Sequence, residues 1–424
     1  MKQLIASLLT AAALALPAVA QPIVITDAKL ATMGPDGIID GGTLIIEDGR
    51  ITAVGRDLDI PSNARLIPGE GRWVTPGLFH AFSKVGAVEV GAVASSRDDR
   101  VDADVPFSAA FDIAYGINPN ATAIPLARME GLTRAAVYPS PAGKSVFAGL
   151  GALIVLDDRP GPVFQRRAFM HAALGEAGAA QAGSSRGGAM VSLIHAIEEA
   201  ARYRDARDKD AWEGGIGRLD AAALVPVTIG DIPLVISAHR ASDLLEIVEL
   251  GRRYAKLDLV IAGAAEGWMV AEELAAAEIP VIIDPTENLP AGFDRLGATQ
   301  RNAGRLVEAG VLVAIIGAGS DSHLPHLARQ AAGNAVANGL DHEAALKALS
   351  HNPARIYGVD DQLGSLMPGR LADVVIWDGD PLEVMANPDH VFVAGEERAP
   401  VSRQSKLRDR YRNLDAALPP AYRR

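Results

Sequence analysis

The sequence predicts an α/β fold: a parallel sheet closed into a barrel by helices, with a smaller β domain beside it. Three observations predict it. Between about residues 130 and 320, short runs rich in Val, Ile and Leu alternate with helical segments, as expected of strands covered on both faces. The part before the barrel reads instead as short strands joined by turns. A chain of 424 residues also exceeds what one core usually organises, unless a large barrel takes most of it. An open doubly wound sheet is the competing arrangement, but no Gly-x-Gly-x-x-Gly follows a strand to favour it.

Taken in order, residues 1–20 read as a secretory signal peptide. Lys2 gives a positive start, Leu4 to Leu16 an apolar run, and Ala18-Val19-Ala20 a small-residue cleavage pattern. The run is shorter than the roughly 20 residues needed to cross a bilayer, and no later stretch is long and apolar enough to span. A periplasmic or secreted address is therefore expected. Acidic residues outnumber basic ones by 52 to 40, with no basic stripe carrying interleaved aromatics, which argues against nucleic acid as a partner. The chain has no cysteine, so neither a disulfide nor a catalytic thiol is available. Stability must come from packing, in keeping with 49% hydrophobic residues.

Residues 21–73 form the first β piece. Asp48-Gly49 between two β-branched runs signals a tight hairpin, because Gly accepts the positive φ such turns require. Residues 74–358 are assigned to the barrel. Its candidate strands include Thr133–Tyr138, Pro233–Ser237, Leu257–Ala262, Pro280–Asp284 and Val311–Ile316, with helices expected at Ala241–Lys256, Trp268–Ala277 and Thr299–Ala309. Residues 161–220, rich in Ala and Gly and then heavily charged, fit the alternation poorly and read as an excursion from the barrel with a solvated helix face. Residues 359–400 return to short strands, and 401–424 make a basic, helical tail suited to a surface or subunit contact, which leaves a homo-oligomer open.

The stretch Val74-Thr-Pro-Gly-Leu-Phe-His80-Ala-Phe82-Ser-Lys84 resembles the first barrel strand of the amidohydrolase superfamily, its imidazolonepropionase-like members in particular. Leu363-Gly-Ser-Leu-Met-Pro-Gly369 followed by Ala372-Asp373 resembles that superfamily's closing signature. The resemblance runs from about residue 23 to 397. It implies a (β/α)8 TIM-type barrel and a small β-sandwich built from both chain ends, with the active site at the C-terminal ends of the strands.

The resemblance also implies a metal cage, and here the residues depart from it. Relatives place a His-x-His pair where this chain has Phe82 and Lys84. A phenyl ring has no donor atom, and an ammonium repels a cation. His80, two residues earlier, lines the barrel interior either as a metal ligand or as a satisfied buried or rim histidine. Val155 matches the position of a bridging lysine. Ser237 replaces a ligand, with His239 in the second position before Arg240, and Gly263 stands where another histidine could. Asp321 matches the aspartate that serves as general base just beyond the last strand, with His323 and His326 after it. Asp321, His323 and His326 also admit a local metal site, against a helix cap at Asp321 or Ser322 with the histidines as loop residues.

Three readings remain. A degenerate, metal-free barrel could bind a small molecule or partner. An enzyme cleaving a C–N bond in a cyclic amide or dipeptide could use Asp321, His239 and His323 as catalytic groups, unaided or with a single zinc. A structural subunit could use the tail and the charged excursion. Lys84, Arg240, Glu287 and His326 are the candidate ligand-binding residues, Lys84 because its ammonium could polarise a carbonyl where a metal would otherwise stand.

Overall fold

The computed structural model describes residues 21–141, 143–157, 159–317 and 324–412. The expected signal at 1–20 and the site candidates Asp321 and His323 lie outside the described residues. No described helix is long and apolar enough to cross a membrane.

The first five strands are β1 (Ile23–Ala31), β2 (Ile38–Glu47), β3 (Arg50–Gly55), β4 (Arg65–Pro68) and β5 (Trp73–Pro76). The Asp48-Gly49 hairpin forms as the sequence requires, with φ of 49° and 77° at its two central residues. From the far end of the chain, β14 (Val374–Trp377) pairs antiparallel with β5, and β15 (Pro388–Val393) and β16 (Glu396–Glu397) follow it outward. Both ends therefore build one domain. It is a single continuous sheet where a sandwich of two sheets was expected, because β1 pairs with β4 through its first half and with β5 through its second, so the ladder runs on unbroken. Ile25, Leu30, Leu44, Ile51, Val74, Ile376 and Phe392 give it a core of its own.

The second sheet is the barrel, in the order β6 (Leu78–Ser83), β7 (Leu132–Val137), β8 (Phe147–Val155), β9 (Val163–Ala173), β10 (Leu234–Ala238), β11 (Leu259–Gly263), β12 (Val281–Ile283) and β13 (Val313–Ile315). Runs of Val and Ile with no outward polar alternation explain why β10 to β13 sit with both faces buried. The seam between β13 and β6 is bridged by one segment: Phe79 N–H donates to the Leu349 carbonyl (2.8 Å) and Asn352 Nδ2 to the Val313 carbonyl (2.7 Å). Phe79, Phe82, Leu153, Phe169, Val235, Val260 and Ile282 fill the interior, and a larger apolar layer separates the strands from the helices.

Two expectations change. The barrel is not a strict eightfold strand–helix repeat, since β8 is antiparallel to both neighbours and is joined to β7 and β9 without crossover helices. The region read as an excursion at 161–220 begins with a barrel strand, β9. Only then do the helices Gly175–Gln181, Arg186–Asp205 and Arg218–Ile229 carry the chain to β10. The charged helix Arg186–Asp205 buries Leu193, Ile197, Ala200 and Tyr203, with Glu199 among them.

Candidate functional site

Strands β6, β7, β9 and β10 bring Phe82, Tyr138, His171 and Ser237 together at the C-terminal rim. A register shift between His80 and Ser83 turns Phe82 into the interior alongside Phe79 and Ala81, while His80 stays fully buried. Phe82 stacks on Tyr138 with ring centroids 3.5 Å apart and planes within 5°, and meets His171 edge-on at 5.1 Å. Tyr138 stands edge-on to the same imidazole at 5.3 Å.

His171 is fixed by two hydrogen bonds. Nδ1 lies 2.6 Å from the Pro139 carbonyl and Nε2 2.9 Å from Ser237 Oγ. A carbonyl only accepts, so Nδ1 carries the proton and Nε2 receives the Ser237 hydroxyl. Burial, reinforced by the positive charge of Lys84 and opposed by the Pro139 hydrogen bond, pushes the His171 pKa down to about 4. The ring is therefore neutral near pH 7.

Beside this cluster Lys84 reaches over the Tyr138 ring, its ammonium 5.1 Å from the centroid, and pairs with Asp99 at 3.5 Å. Asp99 is wholly buried. It also takes the Ser140 hydroxyl at 2.6 Å and ion pairs from Arg97 and Arg100. Three cations therefore converge on one carboxylate.

A second group lies beyond β10. His239 Nε2 accepts from Arg295 Nη2 at 2.9 Å, and Arg295 also pairs with Glu287. Burial, then the Arg295 charge, lowers the His239 pKa to about 4, with Asp294 opposing. Burial likewise lifts Glu287 above the ordinary carboxylate range, although Arg295 pulls the other way. Gly263 makes room for this histidine: a Cβ there would meet His239 Cε1 at 2.5 Å, on a backbone with φ +113°. Gly263→Ala should consequently displace the imidazole and cost about 1–3 kcal/mol by overpacking. Urea denaturation would check it against Gly310→Ala, where φ is also positive but nothing lies within 4 Å, and an equal loss in both variants would count against the contact.

Of the ligand-binding candidates, the structure joins Glu287 to His239 through Arg295 and sets Lys84 beside His171. Arg240 turns to Asp243 (3.0 Å), which Arg186 also holds (3.2 Å). His326 stands half-buried where helix Leu327–Ala337 begins. Val155 corrects the expectation of a bridging position, for the antiparallel β8 pairs it with Arg134 near the opposite end of the barrel. At the rim the corresponding strand is β9 and the residue it presents is His171, which the sequence reading missed by treating this stretch as an excursion. The alternation Phe169, His171, Ala173 was the available signal. A cavity of about 460 Å³, a size that suits a small organic molecule, opens beside the ends of β9 and β10 between Leu174, Arg186, Met190, Arg240, Asp243 and Glu246. Among the described residues no three His, Asp or Glu side chains are grouped so as to hold a metal ion.

Known proteins share this architecture. The model of the amidohydrolase family matches residues 239–398. Imidazolonepropionase of Maricaulis maris is 25% identical over 397 residues, covering 85% of this chain and 94% of that protein. Amidohydrolase tasK of Hapsidospora irregularis is 23% identical over 392 residues, 84% of this chain but only 39% of its own length. The match to imidazolonepropionase of Vibrio cholerae, 35% identical over 129 residues, likewise covers only 31% of that protein and 27% of this chain. Among solved structures, an amidohydrolase from Thermotoga maritima MSB8 superposes with a TM-score of 0.78 at 25% identity, over 89% of this chain and 99% of that one. Molinate hydrolase, at 18% identity and a TM-score of 0.55 over 90% and 95%, shares the fold. With the two-ended β domain and the barrel already in place, these likenesses lead to one conclusion: the chain belongs to the amidohydrolase superfamily.

Proposed function

We propose that this chain is an amidohydrolase-fold protein that binds a small molecule at the barrel mouth without a metal centre. The observation that carries the reading is the Phe82–His171–Ser237 contact. Where the fold would gather metal ligands, a phenyl ring packs on an imidazole whose two nitrogens are already engaged by Pro139 and Ser237. Among the described residues, the other positions offer an ammonium at Lys84 and no side chain at Gly263, and the Nε2 lone pair of His239 is taken by Arg295. These donors do not fit a divalent cation, which needs unprotonated, unengaged lone pairs. A cavity lined by Arg186 and Arg240 lies next to this rim, although Phe82, His171 and Ser237 do not line it. The signal-like residues 1–20 support export as the setting.

Protein dialysed against excess zinc and then against buffer should retain only trace metal by elemental analysis. About one zinc per chain, lost on replacing His239 or His171, would overturn the reading. The alternative is a hydrolase working through a relocated site, and the Ser237–His171 hydrogen bond favours it most directly.

A further inference from the structure

We propose that Ser237 is a nucleophile, activated by His171, that takes an acyl group from a small activated ester or lactone entering the barrel mouth. The inference rests on the metal-independent reading of the mouth and adds a reaction to it. Three features carry it. The hydroxyl of Ser237 lies 2.9 Å from His171 Nε2, within reach for proton transfer, and that nitrogen is the unprotonated one because Nδ1–H is committed to Pro139. The base is held rigid from the other side by the Pro139 carbonyl at 2.6 Å, the orienting part that a third group plays in any nucleophile–base–orienter arrangement. Finally, Ser237 is partly exposed at the C-terminal end of β10 while His171 is buried, so the nucleophile faces the mouth and the base stays behind it.

The step balances without a further reagent. Ser237 Oγ bonds to the acyl carbon as its proton passes to His171 Nε2. The bond to the leaving alkoxide then breaks, and the alkoxide takes that proton from Nε2. Water repeats the route to release the acid and restore the serine. The transient imidazolium meets the Pro139 carbonyl, which favours positive charge, while Lys84 opposes it. An imidazole this weakly basic is a poor proton acceptor, so good leaving groups are selected over ordinary amides, and release of the acyl group is slow. The expected signature is accordingly an adduct that accumulates.

The test is labelling of the full chain with a fluorophosphonate in excess chelator, read by intact mass and peptide mapping. One adduct per chain is expected, on Ser237, absent from Ser237→Ala and formed at least ~100-fold more slowly by His171→Gln, with circular dichroism verifying that both variants fold. Because the chain has no cysteine, Ser237→Cys introduces its sole thiol. Iodoacetamide should alkylate it faster at pH 7 than it alkylates the same thiol in the Ser237→Cys/His171→Gln variant. An equal or slower rate would overturn His171 as the activating base. Labelling that appears only after zinc is supplied would overturn the metal-independent reading and His171's part together. No adduct on folded protein under either condition, or one that survives Ser237→Ala, would overturn the nucleophile and leave the metal-independent reading standing.

Discussion

Replacing Arg134 with methionine is expected to destabilise the protein by about 3–5 kcal/mol, because the change strands a buried carboxylate. Arg134 on β7 grips Asp373 with both arms, Nε to Oδ2 at 2.6 Å and Nη2 to Oδ1 at 3.1 Å, with both side chains 5% exposed or less. Asp373 closes three further links: Oδ1 accepts the Ala394 N–H at 2.8 Å, its carbonyl accepts the Gly77 N–H at 2.8 Å, and its chain neighbour Val374 opens β14. One residue thus ties the barrel to both halves of the β domain. In the folded variant the carboxylate keeps its desolvation cost and loses its cation. Urea denaturation measures the effect. The double variant Arg134→Met/Asp373→Leu should recover part of the loss, falling short because the Ala394 N–H is left without an acceptor. A single variant within about 1 kcal/mol of the parent would mean that the pair is not the joint described.

Acid should weaken the fold well before the carboxylates as a class are neutralised. His171 and His239 are both held neutral, with pKa values lowered to about 4 from an ordinary 6.5. As pH falls below 6.5, the unfolded chain binds protons that the folded one refuses. The stability these residues contribute is therefore complete above pH 6.5 and is lost as pH falls toward 4. For His171 a shift of this size corresponds to about 3 kcal/mol; His239, on the more open part of the rim, should contribute less. Urea midpoints at pH 7.5 and 4.5 would show the loss, and His171→Gln should flatten the dependence. An unchanged dependence in that variant would remove His171 as its source.

The strands that were legible in the sequence are those whose chemistry is decided locally. Val235-Ile236, Val260-Ile261 and Ile282-Ile283 are β-branched pairs without charges, and each became a central strand at nearly the expected bounds. Asp48-Gly49 fixed its own turn. The hairpin of β8 and β9 was not legible. β9 carries Gln165, Arg166 and Arg167 straight after Val163 and Phe164, and Arg167 has a positive φ of 52°, so its first half resembles a solvent loop while only its second half is buried. Misplacing that strand moved the supposed bridging position to Val155 and hid His171. Phe82, Lys84, Ser237, His239 and Gly263 could be singled out because the resemblance supplied positions for them. Their partners Tyr138, Asp99 and Arg295 could not, since these meet the site only through long-range contacts that no local pattern encodes.

The insertion of β14 beside β5 also has a consequence for how the molecule is made. Thr75 finds its ladder partner in Val375, 300 residues downstream. At synthesis rates of ~5–20 residues per second, the edge of β5 waits ~15–60 s on the ribosome for that partner. For that interval Trp73 and Val74 sit on an open strand edge able to pair with any neighbouring chain. Crowded expression should therefore favour aggregation during translation over aggregation of the finished protein, and slower initiation should relieve it.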